Sequence, residues 1–311
     1  MILSVSRRTD IPNYYFDWFC RRLREGYLYV RNPMNERQVS RIDLSPEAVE
    51  GMVFWTKNPA AMMGRLGEIE KYPYYVQFTL TGYGRDVEPG LPDKQQVLLE
   101  RFRELSRAIG RRRVIWRYDP ILFNRVYTPD YHRKAFAAIA GSLEGYTDRA
   151  VISFVDMYTK IRKNMAALQV RDLPEGELAL FAGQLAAVAR EHGMTVESCS
   201  EAIDLEAAGI RHGSCIDPGL MGEIMDCRIL ARKDKNQRKE CGCMESVDVG
   251  TYNTCHNGCR YCYANLSQGA VRSRTERYDP DSPLLCGAVG PDDRVTLQKR
   301  RSVADGQMIE C

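Results

Sequence analysis

Short apolar runs alternate with longer amphipathic stretches along this chain, and the two periods separate strands from helices. Residues 1–6, 51–55, 74–80, 113–117, 150–155, 194–197 and 246–252 read as strands, each a brief apolar run bounded by turn residues. Between them, residues 14–25, 97–109, 131–143 and 177–192 carry apolar positions at helical spacing. Trp18, Phe19 and Leu23 share one side of the first helix, and Gly193 closes the last as a left-handed cap. Regular alternation of strand and helix implies parallel strands with crossover helices, because a hairpin cannot join parallel neighbours. Six or seven such units predict an α/β fold, a full or partial TIM-like (β/α) barrel over residues 1–271. Residues 272–311 then form a polar C-terminal extension or lid, and a doubly wound open sheet is the rival architecture.

In either architecture the site lies at the carboxyl ends of the strands. Polar residues cluster there: Ser6, Arg7, Arg8, Thr9 and Asp10; Thr56, Lys57 and Asn58; Gln77, Thr79 and Thr81. The series continues with Arg117, Tyr118 and Asp119, then Asp156, then Glu197 and Ser200. Any one alone reads as a helix cap or turn residue. Their repetition along one rim predicts a shared pocket.

The last predicted strand runs into Cys-His-Asn-Gly-Cys-Arg-Tyr-Cys-Tyr, residues 255–263, with three cysteines spaced C-x3-C-x2-C. Three thiolates at a glycine-containing turn can converge on one metal, and thiolates are what iron–sulfur clusters and zinc prefer. A fourth ligand is missing from the run, which leaves one iron of a cluster open. Two other readings remain: a structural zinc site completed by His256 or a distant cysteine, and buried thiols without metal.

The triplet Cys255, Cys259 and Cys262, with Tyr261 before the last cysteine, resembles the signature of the radical S-adenosylmethionine (SAM) superfamily. That resemblance implies a [4Fe–4S] cluster on the three cysteines and SAM chelating the fourth iron. It further implies cleavage to a 5′-deoxyadenosyl radical and a flavodoxin- or ferredoxin-type electron donor. Superfamily members usually carry the loop after their first strand, whereas here it follows the last one. A permuted barrel, with residues 246–252 paired beside residues 1–6, restores the arrangement, and neighbouring termini permit it. The turn of Ser6, Arg7, Arg8 and Asp10 then takes the place of the SAM amino-group motif, with Lys57 and Tyr261 nearby. No Gly-Gly-Glu is present, so Arg7, Arg8 and Asp10 are expected contacts of the SAM carboxylate and amine only by position. Tyr118 and Asp119 are expected to line the pocket. Tyr83, Tyr118, Tyr158 and Cys243 are conceivable hydrogen-atom relays.

Ser-Arg-Arg-Thr-Asp-Ile-Pro, Phe-Trp-Thr-Lys-Asn-Pro and Trp-Arg-Tyr-Asp-Pro, together with the cysteine triplet, resemble an uncharacterised bacterial family of unknown function. Residues 259–263 are also similar to the corresponding stretch of spore photoproduct lyases, which act on DNA. The substrate class, small molecule, peptide or nucleic acid, stays open.

A second group of cysteines, Cys199, Cys215, Cys241 and Cys243, stands on the predicted rim, with Cys227 close by. Four soft ligands suit an auxiliary [4Fe–4S] cluster or a zinc ion, and iron–sulfur is the first expectation. Glycine between Cys241 and Cys243 lets a C-x-C pair bend onto one metal. Buried thiols are the plain alternative. Cys20, Cys286 and Cys311 are scattered and read as structural or exposed.

Eleven cysteines with no secretory signal argue against a disulfide framework, and the chain is expected to be cytoplasmic. No apolar run is long enough to cross a bilayer. A formal charge of +3 over 311 residues does not announce a nucleic-acid binder. The basic runs 111–113, 232–239 and 299–301 read first as solvated faces. Phosphate contacts by the first two belong to an alternative, a metal-dependent nucleic-acid repair or modification enzyme. A redox sensor built on iron–sulfur or zinc is the non-enzymatic alternative. The four histidines lack H-E-x-x-H spacing, and neither a Walker loop nor a G-x-S-x-G elbow occurs.

Overall fold

Strands and helices alternate along the computed structural model, which describes residues 1–299 and 301–304. Arg300 and Cys311 lie outside the described residues. The first elements are β1 (Ile2–Val5), α1 (Ile11–Tyr14), α2 (Phe16–Glu25), β2 (Tyr27–Arg31), β3 (Gln38–Asp43) and β4 (Gly51–Thr56). Next come α3 (Ala60–Met63), β5 (Tyr74–Thr79), α4 (Leu99–Ile109), β6 (Val114–Ile121), α5 (Pro129–Leu143) and β7 (Arg149–Phe154). The chain continues through α6 (Arg162–Ala167), α7 (Glu175–Glu191), β8 (Thr195–Cys199), β9 (Arg211–Gly213) and α8 (Pro218–Met225). It ends with β10 (Val247–Asp248), α9 (Gln268–Thr275) and β11 (Arg294–Leu297). Local chemistry sets the helix starts: the Thr128 side chain accepts from Tyr131 N, and Pro129 opens α5 with no N–H to lose.

Eight strands form one parallel sheet in the order β10-β1-β4-β5-β6-β7-β8-β9. One face carries Leu3, Phe54, Val76, Phe78, Trp116 and Ile152. It is covered by Trp18 and Phe19 of α2, Phe102 of α4, Phe136 of α5 and Leu185 of α7. Trp116 stacks on Phe136 at 4.5 Å between ring centroids. On the other face Ile2, Val53, Tyr75, Ile115 and Val151 form a second buried cluster with Ile216, Leu220, Met221 and Met244. Strand side chains repeat with period two, so the residues next on that face are Ser4, Trp55, Gln77, Arg117 and Ser153. The face therefore passes from an apolar floor to a polar cup at the carboxyl ends.

The expected strand over residues 246–252 shortens to β10, and it pairs parallel with β1 through Leu3↔Val247 and Ser4↔Asp248. The hydrophobic pattern missed the β2–β3 hairpin, β11 parallel to β3 in a side sheet, the short β9, and the short helices α3, α6, α8 and α9. These segments are short, and β9 and β11 are mostly exposed, so period alone does not mark them. The described part of the tail is anchored by Leu284, Leu285 and Cys286, all buried, and Trp18 Nε1 donates to Ser282 O at 2.8 Å. No helix among the described residues is long and apolar enough to cross a membrane.

Candidate functional site

A cavity of about 550 Å³ opens at the carboxyl ends of the sheet strands, a size typical of cofactor and substrate pockets. Ser6, Arg7, Arg8, Asp10, Lys57 and Asp119 line it, and so does Tyr261 of the cysteine loop. Both cysteine groups face the same space: Cys255, Cys259 and Cys262, and Cys199, Cys215, Cys241 and Cys243. Thr79, Asp156 and Ser200 join them, whereas Asn58, Gln77, Thr81 and Glu197 do not. Tyr118 departs from expectation. Strand alternation turns it to the helical face, where its O–H meets His132 Nδ1 at 2.8 Å, while Arg117 and Asp119 face the cavity. Tyr83 is likewise away from the cavity, bonded to Pro120 O and Leu122 N, whereas Tyr158 and Cys243 line it. None of the described tail residues does.

The N-terminal turn and the cysteine loop are laced together. Asp248 accepts from Ser4 Oγ and Ser6 Oγ, both at 2.6 Å, and from Arg7 N at 2.9 Å. Asp10 accepts from Thr56 Oγ1 at 2.7 Å, Lys57 N at 2.9 Å and Asn257 Nδ2 at 2.9 Å. Both Asp10 oxygens are thereby committed inside the protein, so this carboxylate positions the loop rather than waiting for a ligand. Asn257 Oδ1 accepts from Tyr14 at 2.8 Å, and Tyr15 donates to Thr254 O at 2.6 Å. Beneath the loop, Gly90 N donates to Asn257 O at 3.0 Å. A Cβ on Gly90 would stand 2.6 Å from Asn257 O and 2.8 Å from His256 O, so only glycine permits this approach.

Glu88 and Lys94 belong to the site although no local pattern marks them. Glu88, 1% exposed, pairs with Lys57 Nζ at 2.8 Å and also contacts Lys94 and the Tyr261 hydroxyl. Burial alone would raise this carboxyl, but the Lys57 and Lys94 ammoniums outweigh it and hold it at about 2. Lys57 Nζ also donates to the Tyr261 hydroxyl at 2.7 Å. The residue before the last loop cysteine is thus locked to a buried ionic cluster.

Across the cavity, the Arg117 guanidinium donates to Asp119 Oδ2 at 2.6 and 3.0 Å and to Cys215 Sγ at 2.9 Å. Burial would lower its pKa, but Asp119 and Cys215 hold the charge in place. Two buried polar atoms on the cavity wall have no partner, Arg7 Nη2 and Ser200 Oγ. Ser200 also takes a left-handed backbone at φ +58°, a strain of a kind that gathers at functional sites. The Arg7 guanidinium lies 5.2 Å from the Trp55 ring centroid. Arg111–Arg113 sit at the opposite, amino end of β6, where Arg111 pairs with Asp148 and Arg112 with Glu223. Arg238 reaches the cavity and pairs with Asp156 at 2.6 Å.

The donor set suits a thiophilic metal. Backbone N–H groups of Asn257 point to the Cys255 sulfur, and those of Ala264 and Asn265 to that of Cys262. In the metal-free chain, burial pushes the Cys259 thiol up to about 12 against the pull of Lys57. As the side chains stand, no three His, Cys, Asp or Glu among the described residues close round a metal-sized point. Metal binding would therefore require the thiols to rotate inward and lose protons. A family model matches residues 2–264, spanning the whole sheet and the cysteine loop. No curated protein matches the chain.

Proposed function

Because the chain belongs to the family described as Domain of unknown function (DUF1848), which assigns no activity, we propose a function from the site itself: a radical SAM enzyme. Cys255, Cys259 and Cys262 hold a [4Fe–4S] cluster, with SAM at its open iron. When bound, that pair supplies a carbon-centred radical able to take a hydrogen atom from substrate. The observation that carries the reading is the three-cysteine loop facing a cavity that Arg7 also lines, with its buried Nη2 free of any hydrogen-bond partner. The Arg7 Nη2 is the natural ligand for the SAM carboxylate, and Arg8 adds a second cation on the same turn. Asp10, Asn257 and Glu88 hold the loop and Tyr261 in place, and the cavity walls keep water from a reactive centre. We read the sheet as a partial (β/α) barrel. From β1 to β9 the neighbour order follows the chain, the long helices share one face, and the inner faces of five strands meet the segment bearing Ile216 and Met221.

The test uses anaerobically purified, reconstituted protein reduced with dithionite in the presence of SAM. About four irons per chain and release of 5′-deoxyadenosine are expected, both lost in Cys255→Ala/Cys259→Ala/Cys262→Ala. Bound iron that leaves SAM intact after reduction would move the function to redox sensing.

A further inference from the structure

We infer that Cys199, Cys215, Cys241 and Cys243 form a mononuclear zinc site with four thiolate ligands. These residues come from three places in the chain, the end of β8, the turn after β9 and the C-x-C pair before β10, and they meet on one wall of the cavity. Cys199 Sγ lies 3.0 Å from Cys215 Sγ. Cys215, Cys241 and Cys243 belong to one buried cluster, and Cys199 packs against it, so the four side chains form a continuous row. The row has the fittings of a ligand set. Ile216 N donates to Cys243 Sγ at 3.4 Å, and the backbone N–H of Cys243 points to the Cys241 sulfur.

Packing holds the C-x-C pair against its partner segment. A Cβ on Gly242 would stand 2.5 Å from Ser214 Oγ and 3.2 Å from Gly213 O, so the C-x-C pair packs closely on the segment that carries Cys215. Charge agrees. Four thiolates around a divalent ion leave a net charge of about −2, and the buried Arg117 guanidinium already touches Cys215 at 2.9 Å. Arg7 lies within electrostatic range of Cys243 and Cys215.

Spacing selects the metal. Zinc with bonds of about 2.3 Å sets tetrahedral sulfurs about 3.8 Å apart, so the Cys199–Cys215 pair needs to open by less than an ångström. A four-iron cube inserts between its cysteines and drives them several ångströms farther. The loop thiols, by contrast, interact electrostatically with no sulfur–sulfur contact among the described residues. This departs from the iron–sulfur expectation for the second group. Binding releases the thiol protons to solvent and closes the row by side-chain rotation.

The site is separable from the loop, which makes the test independent of the radical reading. Full-length Cys255→Ala/Cys259→Ala/Cys262→Ala protein, purified anaerobically, is assayed for zinc and iron. About one zinc per chain is expected there, and it is lost in Cys215→Ser/Cys243→Ser. Should that second variant fail to fold, cobalt replaces zinc in the loop variant, and X-ray absorption must show a first shell of four sulfurs. Iron in place of zinc, no metal in the loop variant, a shell with fewer than four sulfurs, or a Cys199–Cys215 disulfide in metal-free protein would each overturn the assignment.

Discussion

Replacing Glu88 with glutamine removes one negative charge while keeping the shape of the side chain, and two buried ammoniums then face each other without it. Lys94 keeps Thr81 O at 3.0 Å and Tyr83 O at 2.6 Å, but Lys57 keeps only the Tyr261 hydroxyl at 2.7 Å. Breaking a buried ion pair from one side costs about 3–5 kcal/mol, and the bonds left to Lys94 put the expected loss near the lower end. The carboxyl itself leads to the same figure. Its fall from 4.5 to about 2 is equivalent to about 3 kcal/mol at roughly 1.4 kcal/mol per pH unit. Because the folded-state value is depressed, that stability is present above pH 4.5 and drains away as pH falls toward 2. Urea unfolding of metal-free wild type and Glu88→Gln, run at neutral pH and at intervals below it, measures the gap directly. The gap should be about 3 kcal/mol at pH 7 and should narrow below pH 4.5. A gap under about 1 kcal/mol, or one that does not change with pH, would refute the view of Glu88 as the charged keystone beneath Tyr261.

Burial holds the His132 imidazole down at about 4, against the opposing pull of its bond to Leu122 O. The unfolded chain therefore takes up the proton first, and about 3 kcal/mol should be lost between pH 6.5 and 4; a His132→Gln protein with an equally steep unfolding profile there would count against this. Gly90→Ala should lower iron uptake by the reconstituted protein, since its Cβ would press on the backbone of His256 and Asn257. Gly67→Ala, with open space at its Cβ, should leave iron uptake unchanged, and equal uptake by both variants would contradict the close-approach argument. Asp10→Ala strips hydrogen bonds from Thr56, Lys57 N and Asn257 at once, so it should cost at least 3 kcal/mol in thermal or urea unfolding, and a smaller loss would show that the loop holds itself.

The strand–helix rhythm, the parallel sheet and the cysteine triplet were legible in the sequence because each depends on neighbours in the chain. Leu3, Phe54 and Trp116 announce buried strands by local period, and three thiols within eight residues stand out by spacing alone. The rim rule also found Arg7, Lys57 and Asp119, since polarity after a strand is local too. Glu88 was invisible: a carboxylate between Val87 and Pro89 looks like any loop acid until folding brings Lys57, Lys94 and Tyr261 around it. Tyr118 was misplaced because which side a residue faces is decided by register against β5 and β7, not by its own polarity. The pairing of β10 with β1, and with it the meeting of the first ten residues with the cysteine loop, joins positions more than 240 apart. The sequence offered that pairing only as what a permuted barrel would need, and the tertiary structure decided it, because nothing in a local pattern encodes which distant edge a strand will choose.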